Sequence, residues 1–420
     1  MNERIVATYW IETAHDLEWA AQALAGEQSS GTFVPVPGES PELKARAAAR
    51  VETITELEPA SEPSLPGAQG SRTQTAHARW RRAIVRISWP LANLGTSLPM
   101  LMSTVAGNLF ELQQFSGVQL LDIELPDAFG VDCPGPQFGI EGTRRLAGVR
   151  DQPLIGTIIK PSVGLFPDDT ARLVQTLCDA GIDFIKDDEL QGDGPACPFD
   201  DRVRAVMAVI NRHADRTGKK VMYAFNLSGG IDQMRYRHDL VLAQGGTCVM
   251  VNLIGVGLTG VEHLRRHAVL PIHGHRNGWG ALSRSPALGF NYVAWQKFWR
   301  LAGVDHMHVN GLSNKFCESD DSVLASARAC QQPMFEGKPC TVMPVFSSGQ
   351  TVHQAVRTYA ALGSTDLIYA CGGGIMAHPD GVAAGVAGVR QAWEAAVKGV
   401  ALETYGQSHT ALATALKAFA

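Results

Sequence analysis

From residue 154 onward the chain alternates short apolar runs with amphipathic segments. The apolar runs have the length of strands and most end in polar or glycine residues, whereas the segments between them repeat their apolar positions with a helical period. A doubly wound sheet would not explain polar residues at almost every strand end, whereas eight strand–helix units predict a (β/α)8 barrel with its chemistry at one mouth. The eight predicted strands are 154–160, 183–189, 221–227, 248–255, 269–276, 306–310, 340–348 and 366–374.

The first 125 residues show a different pattern, typical of a small α+β domain. An Ala-rich run at 42–57 is helix-like, and the Pro/Ser/Gly-rich stretch 59–71 predicts a surface excursion. We therefore predict an α/β protein: a C-terminal (β/α)8 TIM barrel and a smaller N-terminal α+β, ferredoxin-like domain, divided as 1–130 and 131–420. The remaining predicted elements of the small domain are a strand at 84–94, a buried helix at 97–112 and a strand at 118–126.

Composition and charge narrow the class of partner. The 420 residues carry a formal net charge of -5 without a Lys/Arg block, which argues against nucleic acid and against an anionic membrane surface. The eight cysteines form no Cys-x-x-Cys pair and are expected to be reduced core thiols. The charged N-terminus does not resemble a signal peptide, and no stretch of about 18 apolar residues occurs, so we expect a soluble, cytoplasmic protein.

The end of the second predicted strand carries an unusual group of charges, Lys186-Asp187-Asp188-Glu189. Alternation along a strand places Lys186 and Asp188 on one face, and Glu189 can turn inward where the strand gives way to a loop. We therefore expect the charges of this group to converge on the mouth of the barrel. A solvated loop is the usual explanation of such a run, but the other strand ends are polar as well. Two carboxylates at a barrel mouth need a cation between them, and Mg²⁺ prefers such oxygen ligands.

Several motifs, in order along nearly the whole chain, resemble those of the RuBisCO large-chain superfamily. The group at Lys186 resembles the family's carbamylated-lysine motif, and the segment from Thr157 to Pro161 its strand-one catalytic lysine motif. Lys315 lies seven residues beyond His308, which is the family's spacing for its loop-six lysine. The other matching residues are the pair His275 and Arg276, and in the small domain Glu27, Thr32, Phe33 and Asn108.

The resemblance implies a site in which CO2 forms a carbamate on Lys186, and Lys186, Asp188 and Glu189 then hold Mg²⁺. It also implies a homodimer or an assembly of dimers, because the small-domain residues would enter the site of a neighbouring subunit. Lys160, Lys186, His275 and Lys315 are the implied catalytic residues. The implied substrate- or phosphate-binding residues are Glu27, Thr32, Asn108, Arg276, His308, Ser347, Gly349, Gly373 and Gly374.

Some of these residues have an ordinary structural explanation. A glycine triplet at 372–374 usually makes a turn, although backbone N–H groups after the last barrel strand can hold a phosphate. His273, His306 and His378 could each be structural histidines without a ligand. Lys315 could be a solvated loop lysine.

Two departures from the family pattern argue against carboxylation of ribulose bisphosphate. Ser162 replaces the second lysine of the Lys-Pro-Lys motif, and loop six continues from Lys315 as Phe-Cys-Glu-Ser. The chain thus resembles the RuBisCO-like, form IV, non-photosynthetic branch. The implied chemistry is a metal-stabilised enolate of a phosphorylated keto-acid or sugar-phosphate substrate, and a cation at Lys315 favours the decarboxylation of 3-oxo-isoapionate 4-phosphate in carbohydrate catabolism.

Other outcomes remain open at the level of sequence. A transcarboxylase/hydrolase of the same substrate is one, and the enolase or isomerase reactions of methionine salvage (2,3-diketo-5-methylthiopentyl-1-phosphate enolase and methylthioribulose-1-phosphate isomerase) are others. A catalytically inactive regulatory homologue is the alternative outside enzymes. The intact group of Lys186, Asp188 and Glu189 argues against it, because buried anions without a cation are costly.

Overall fold

The computed structural model of the chain describes residues 3–30, 37–70 and 79–420. It divides into two compact units: unit 1 comprises Met1–Cys133, Gly278–Leu301 and Pro333–Pro339, and unit 2 comprises Pro134–Asn277, Ala302–Gln332 and Cys340–Ala420. The domain boundary at residue 130 stays a prediction. Over the described ranges, no helix combines the length and the apolar character needed to cross a bilayer.

The strands of the described residues are β1 (Arg4–Thr13), β2 (Arg50–Ala60), β3 (Trp80–Pro90), β4 (Phe115–Glu124), β5 (Leu154–Ile158), β6 (Phe184–Lys186), β7 (Met222–Asn226), β8 (Cys248–Asn252), β9 (Ile272–His275), β10 (Leu288–Phe290), β11 (His306–His308), β12 (Met343–Phe346) and β13 (Ile368–Ala370).

The helices are α1 (Leu17–Glu27), α2 (Pro41–Ala47), α3 (Leu98–Ala106), α4 (Asp127–Gly130), α5 (Gly139–Ala147), α6 (Pro167–Asp179), α7 (Phe199–Thr217), α8 (Ile231–Ala243), α9 (Leu253–Val256), α10 (Leu258–His267), α11 (Gly280–Ser283), α12 (Tyr292–Ala302), α13 (Asp320–Gln331), α14 (Gln354–Leu362), α15 (Gly373–Met376), α16 (Val382–Lys398), α17 (Leu402–Gly406) and α18 (Thr410–Ala418). Two short 3-10 helices cover Leu91–Asn93 and Asn108–Glu111.

Unit 1 is built on a five-stranded sheet of order β10-β4-β1-β3-β2. Its first four strands in chain order are antiparallel neighbours, and β10 joins β4 in parallel, so the sheet is mixed. The order β4-β1-β3-β2 with helices after β1 and β3 is a ferredoxin-like arrangement, which confirms the predicted class of the small domain. Strand β1 was not predicted. Alternation along β1 buries Ile5, Ala7, Tyr9 and Ile11 on one face of the sheet, as a strand with a single covered face requires.

The predicted helix over 42–57 is wrong in its second half. Helix α2 begins after Ser40, whose hydroxyl accepts the Leu43 amide, and ends at Ala47. The chain then forms strand β2, which pairs with β3. The β-branched residues Val51, Thr53, Ile54 and Thr55 favour a strand. The Ala-rich residues just before them favour a helix, and the predicted helix was extended too far along the chain.

The predicted helix over 97–112 is also shorter than expected and is not buried all round. Helix α3 buries only Leu98, Leu101 and Val105, so it covers the sheet with one face. It ends before Gly107, where an added Cβ would lie 2.5 Å from the Ser103 carbonyl oxygen. Of the predicted surface excursion, residues 59–60 belong to β2, residues 61–70 are mostly exposed, and residue 71 lies outside the described residues.

Unit 2 contains the predicted barrel. Its eight strands close in the order β5-β6-β7-β8-β9-β11-β12-β13, and all neighbours are parallel. Each strand is shorter than its predicted run: β9 and β12 begin three residues later than predicted, and residues such as Asp188 and Glu189 follow the last paired residue of their strand. Side chains such as Phe184, Met222 and Met250 fill the interior, so the barrel is a packed core with its polar groups at the carboxyl ends of the strands.

One buried carboxylate ties the elements of unit 2 together at the start of α5. Asp305 Oδ1 accepts the backbone amides of Phe138 at 2.6 Å and Gly139 at 3.0 Å. Its Oδ2 accepts the Ile272 amide at 2.9 Å and Arg265 Nη1 at 3.1 Å. Both charged side chains are almost completely buried.

We expect Asp305→Ala to lower the free energy of unfolding by about 3–5 kcal/mol, because it leaves a buried guanidinium and three amides without their acceptor. Denaturant unfolding followed by far-UV circular dichroism measures this change. The matched control is Asp320→Ala, which removes an exposed pair with Arg357 and should cost at most about 1 kcal/mol. Equal effects of the two substitutions would contradict the role of Asp305.

Candidate active site

Lys186 is the last residue of β6 and its side chain is completely buried. Its Nζ donates to the Asp187 carbonyl oxygen at 2.7 Å and lies 4.0 Å from Glu189 Oε2. Burial disfavours the ammonium and lowers the pKa of Lys186 to about 8, although Glu189 and Asp188 oppose the shift. A neutral amine, the form that reacts with CO2, is therefore accessible near neutral pH.

Asp188 is buried beside the side chain of Lys160. Lys160 Nζ donates to Asp188 Oδ2 at 2.6 Å and to Ser162 Oγ at 2.7 Å. Burial alone would raise the pKa of Asp188, but the hydrogen bonds from Lys160 and from the Leu190 amide outweigh it and lower the pKa. Asp188 is thus a carboxylate at neutral pH, and Lys160 is held within reach of the same space.

Glu189 is fixed through its backbone and faces a histidine. Its carbonyl oxygen accepts the side-chain amides of Asn226 at 3.3 Å and Asn252 at 2.9 Å. His275 Nδ1 lies 3.3 Å from both the backbone nitrogen and the side-chain oxygen of Asn277, and its Nε2 lies 3.5 Å from Glu189 Oε2. Burial and the nearby Lys186 lower the pKa of His275 to about 3, so this contact joins a neutral imidazole to a carboxylate.

Asp187 does not join its neighbours at the mouth, which corrects the expectation that all four charges converge there. Its carboxylate turns away from the barrel axis and accepts Tyr223 OH at 2.6 Å, the Asn226 amide at 2.9 Å and Arg202 Nη2 at 3.2 Å. Arg202 also donates to the Cys197 carbonyl oxygen at 3.0 Å. The strand alternation that puts Lys186 and Asp188 on one face could have indicated this, but no local pattern marks Arg202 or Tyr223 as the partners.

The remaining three residues of this group fit a divalent cation. Asp188 and Glu189 offer hard carboxylate oxygens, and a carbamate on Lys186 would add a third anionic oxygen ligand. Two lysine ammonium groups lie against the same carboxylates, which shows that this part of the mouth attracts positive charge.

Arg276 follows β9 and forms an ion pair that the sequence did not indicate. Its Nη2 donates to Glu318 Oε2, and both side chains are largely buried. Asn310 Nδ2 donates to the same oxygen at 2.6 Å. Glu318 belongs to the Phe-Cys-Glu-Ser segment after Lys315, where a departure from the family pattern was noted but no role was inferred.

Two of the predicted binding residues, His308 and Ser347, lie next to each other. His308 is the last residue of β11, and Ser347 follows β12. Ser347 Oγ lies 2.9 Å from His308 Nδ1. Burial, with His275 and His273 close by, lowers the pKa of His308 well below its usual value. The ring is therefore neutral and can take part in hydrogen bonding, but it brings no positive charge to the mouth.

Lys315 and the predicted glycine residues lie on adjoining loops. The Lys315 amide donates to the Ser348 carbonyl oxygen at 3.1 Å, and its Nζ lies 5.2 Å from the centre of the Phe316 ring. Gly349 has a φ of +96°, which favours glycine, and an added Cβ would lie 3.6 Å from Lys315.

Gly373 and Gly374, in the glycine triplet after β13, differ in the space around their Cα atoms. A Cβ on Gly374 would lie 2.6 Å from the Gln350 carbonyl oxygen, so close packing already requires a glycine at this position. Its predicted binding role stays a prediction. A Cβ on Gly373 would meet nothing within 4 Å. Gly373 therefore faces open space in which another molecule could approach its backbone.

The three histidines with a possible structural role have different surroundings. His378 is occupied on both ring nitrogens, by the Ala411 carbonyl oxygen at 3.0 Å and the Asp380 amide at 3.1 Å. His306 Nε2 lies 2.9 Å from Thr143 Oγ1. His273 is completely buried, and its ring centre lies 5.0 Å from that of His308. These contacts account for His378 and His306 as structural residues.

The predicted small-domain residues lie in unit 1. Glu27 is the last residue of α1, and Asn108 begins a 3-10 helix. Gln28, the residue after Glu27, joins their two segments. Its side-chain oxygen accepts the Asn108 amide at 2.9 Å, and its side-chain nitrogen donates to the Ser103 carbonyl oxygen at 3.1 Å. Thr32 and Phe33 lie outside the described residues.

Among the described residues, one other group could be considered for a metal: His238, Asp239 and His267. His238 Nδ1 and His267 Nε2 both lie near Asp239 Oδ1, at 3.0 and 2.7 Å. However, His238 Nε2 accepts the Val269 amide at 3.1 Å, so the ring proton must be on Nδ1. His238 Nδ1, the nitrogen that would bind a metal, thus carries a proton. The group is a set of hydrogen bonds that joins α8 to α10.

A (β/α)8 barrel with a buried lysine, two carboxylates and a second lysine at the carboxyl ends of its strands has its polar groups where enzymes of this architecture have their active sites. The chain belongs to the RuBisCO large-chain family. Residues 1–129 match the model described as ribulose bisphosphate carboxylase large chain, N-terminal domain, and residues 139–419 match that of the catalytic domain.

Individual relatives give a finer comparison. A protein of Xanthobacter autotrophicus named 3-oxo-isoapionate-4-phosphate transcarboxylase/hydrolase is 58% identical over 416 residues, which cover 99% of each chain. A protein of Rhizobium rhizogenes named 3-oxo-isoapionate-4-phosphate decarboxylase is 46% identical over 417 residues, 99% of this chain and 98% of the relative. The crystal structure of a RuBisCO-like protein from Burkholderia fungorum superposes with a TM-score of 0.92 at 46% identity, covering 99% of both chains. Along its whole length the chain is therefore similar to RuBisCO-like proteins.

We expect Lys186 to form a carbamate more readily as the pH rises. With its pKa at about 8, the neutral fraction should increase roughly fivefold between pH 7 and pH 8 at a fixed partial pressure of CO2. The intensity of the carbamate carbon in 13C NMR spectra, recorded under 13CO2 without substrate, measures this increase. Lys186→Met should lose the signal while the folded spectrum persists, and a signal that survives this substitution would place the carbamate on another lysine.

Proposed function

We propose that the protein removes the carboxyl group of 3-oxo-isoapionate 4-phosphate, or of a closely similar phosphorylated β-keto acid, through an enolate, and is not a ribulose-bisphosphate carboxylase. The observation that carries this proposal is the grouping of Lys186, Asp188, Glu189 and Lys160 at one point of the mouth. Relatives named for that substrate along nearly the whole chain support it. Mg²⁺ held by Asp188, Glu189 and carbamylated Lys186 would neutralise the charge that develops on the ketone oxygen.

Lys160 is the proposed proton donor. It ends the strand-one motif, and its ammonium is held by Asp188 and Ser162 within the mouth. When the bond to the carboxyl carbon breaks, its electron pair moves to the ketone as an enolate, and one proton must then reach the carbon that lost the carboxyl group. A positioned ammonium can supply that proton. His275 is a neutral ring that lies 3.5 Å from the carboxylate of Glu189.

Ser162 supports a reaction other than CO2 fixation. It stands where the family motif has a second lysine, and it supplies a neutral hydroxyl to Lys160 at 2.7 Å. In the family that second lysine helps a carboxylase to handle its enediolate, and one cation fewer at this point weakens the stabilisation of such an anion. This difference argues against the carboxylation of ribulose bisphosphate.

The position of Lys315 supports the proposal that the carboxyl group leaves as CO2. Its amide is fixed to the strand-seven loop by Ser348, while its side chain is exposed beside the mouth. A cation here can orient a carboxylate before the carbon–carbon bond breaks. An enzyme that moves only protons has little use for it.

Transfer of the carboxyl group followed by hydrolysis is the second candidate. The 58% identity to the transcarboxylase/hydrolase of Xanthobacter autotrophicus exceeds the 46% identity to the decarboxylase of Rhizobium rhizogenes, and this difference favours the second candidate. The two reactions share the cleavage at the carboxyl carbon and the enolate. They differ in whether CO2 appears in solution.

We expect substrate labelled with 13C in the carboxyl group to give labelled CO2, and the product formed in D2O to carry deuterium at the carbon that lost it. Lys315→Ala should slow CO2 release roughly 100-fold, because the carboxylate loses its cation. The surface variant Lys417→Ala is the control and should keep the parental rate. Label that stays entirely in non-volatile products would replace decarboxylation by transfer and hydrolysis.

Several loops that follow barrel strands of unit 2 also carry exposed apolar side chains. Val163 (59% exposed), Phe166 (59%), Leu190 (67%) and Phe316 (56%) all come from loops that follow barrel strands. Exposed apolar side chains of this kind can meet another protein surface. We propose that a second copy of the chain covers them, in a homodimer in which Glu27 and Asn108 contribute to the site of the neighbouring subunit.

Shared sites can be tested by subunit mixing. Glu27→Ala and Lys186→Ala proteins should each be nearly inactive, and mixing them should restore part of the activity, because one site of each hybrid dimer carries neither lesion. The recovered activity should approach roughly a quarter of the parental value when exchange is random. No recovery after subunit exchange has been demonstrated by mass spectrometry would contradict shared sites.

A further inference from the structure

The ion pair between Arg276 and Glu318 changes the charge of one end of the mouth. Arg276 is 7% exposed, and its guanidinium donates to the carboxylate of Glu318, whose side chain is 14% exposed. Both residues are therefore shielded from solvent ions that could screen them. The positive charge that the family resemblance assigned to phosphate is already compensated by a residue of the same chain.

Glu318 is held by neutral donors as well as by Arg276. Asn310 Nδ2 donates to Oε2 at 2.6 Å, and Ser322 Oγ donates to Oε1 at 2.9 Å. Asn310 is itself fixed, since its Oδ1 accepts Ser348 Oγ at 2.7 Å. The carboxylate would consequently stay in place, with its negative charge, even if a ligand drew the guanidinium towards itself.

Apart from the exposed side chain of Lys315 on the same loop, Arg276 is the cation that the described residues place against Glu318. His308 is neutral, because burial and the neighbouring histidines keep its pKa well below the physiological range. Its partner Ser347 is a neutral hydroxyl. The net charge of Arg276, Glu318, His308 and Ser347 is thus close to zero, and a phosphate bound to Arg276 would lie within one guanidinium width of a carboxylate.

From this geometry we infer that the Arg276–Glu318 pair recognises the hydroxyl-bearing, uncharged end of the substrate and that the phosphate binds elsewhere. The inference rests on the proposed function and assigns the orientation of its substrate. A hydroxyl group donates one hydrogen bond and accepts others, which suits a guanidinium donor beside a carboxylate acceptor. A phosphate offers mainly acceptors and negative charge, and both are opposed by Glu318.

Binding of inorganic phosphate, measured by isothermal titration calorimetry, tests the inference without turnover. Arg276→Met should change the phosphate dissociation constant of the otherwise parental protein by less than about twofold. Glu318→Gln keeps the shape of the side chain but removes its charge, and should tighten phosphate binding about tenfold. The double variant should lose that gain, and Arg357→Met, which removes an exposed arginine paired with Asp320, is the matched control.

Two outcomes overturn the inference. One is a tenfold or greater weakening of phosphate binding by Arg276→Met alone, which would make Arg276 a phosphate ligand already in the parental protein. The other is a Glu318→Gln variant, folded by its melting curve, that binds phosphate no more tightly. Neither depends on the reaction: failure to remove the carboxyl group would refute the proposed function while the phosphate measurement still tested the charge of this end.

Discussion

The buried contact of Asp187 with Arg202 and Tyr223 determines how the whole site is arranged. Three consecutive carboxylates cannot all face one point without strong mutual repulsion. By placing Asp187 in a fully paired position behind the strand, the protein leaves two carboxylates and one lysine at the mouth. Because Lys186 also donates to the Asp187 carbonyl oxygen, the same residue fixes the backbone from which the other three side chains project.

A second constraint is the low dielectric of the barrel interior. It keeps His273, His275, His306 and His308 neutral, so that the four imidazoles add no charge to a mouth that already contains several ionic groups. It also brings the pKa of Lys186 near neutrality. The charges that remain are mostly compensated in pairs, Lys160 with Asp188 and Arg276 with Glu318. This balance explains how so many ionisable groups can share a small volume at an acceptable cost in stability.

The backbone of the loops at the mouth is held in uncommon conformations. Asn310, Ser313 and Ser348 have positive φ angles of 65°, 48° and 70°, which are uncommon for residues with side chains. They lie where strands β11 and β12 give way to their loops, beside Glu318 and Lys315. Hydrogen bonds among Asn310, Ser347 and Ser348 hold these turns. The loops that carry the proposed specificity residues are therefore fixed by the same polar groups that surround the site.

Sequence alone determined the eight-stranded barrel and the residues gathered at its strand ends, because hydrophobic period and the position of polar residues are local properties. In the small domain it indicated the α+β class and strands β3 and β4, but not β1 or β2. It failed at 42–57, where helix propensity and strand propensity follow one another within a few residues, and it assigned Asp187 to the mouth. The partners of Asp187 and of Arg276 were decided only by the tertiary structure. Arg202 is 15 residues from Asp187 and Glu318 is 42 residues from Arg276, and no local pattern specifies which distant donor will meet a given carboxylate once both are buried.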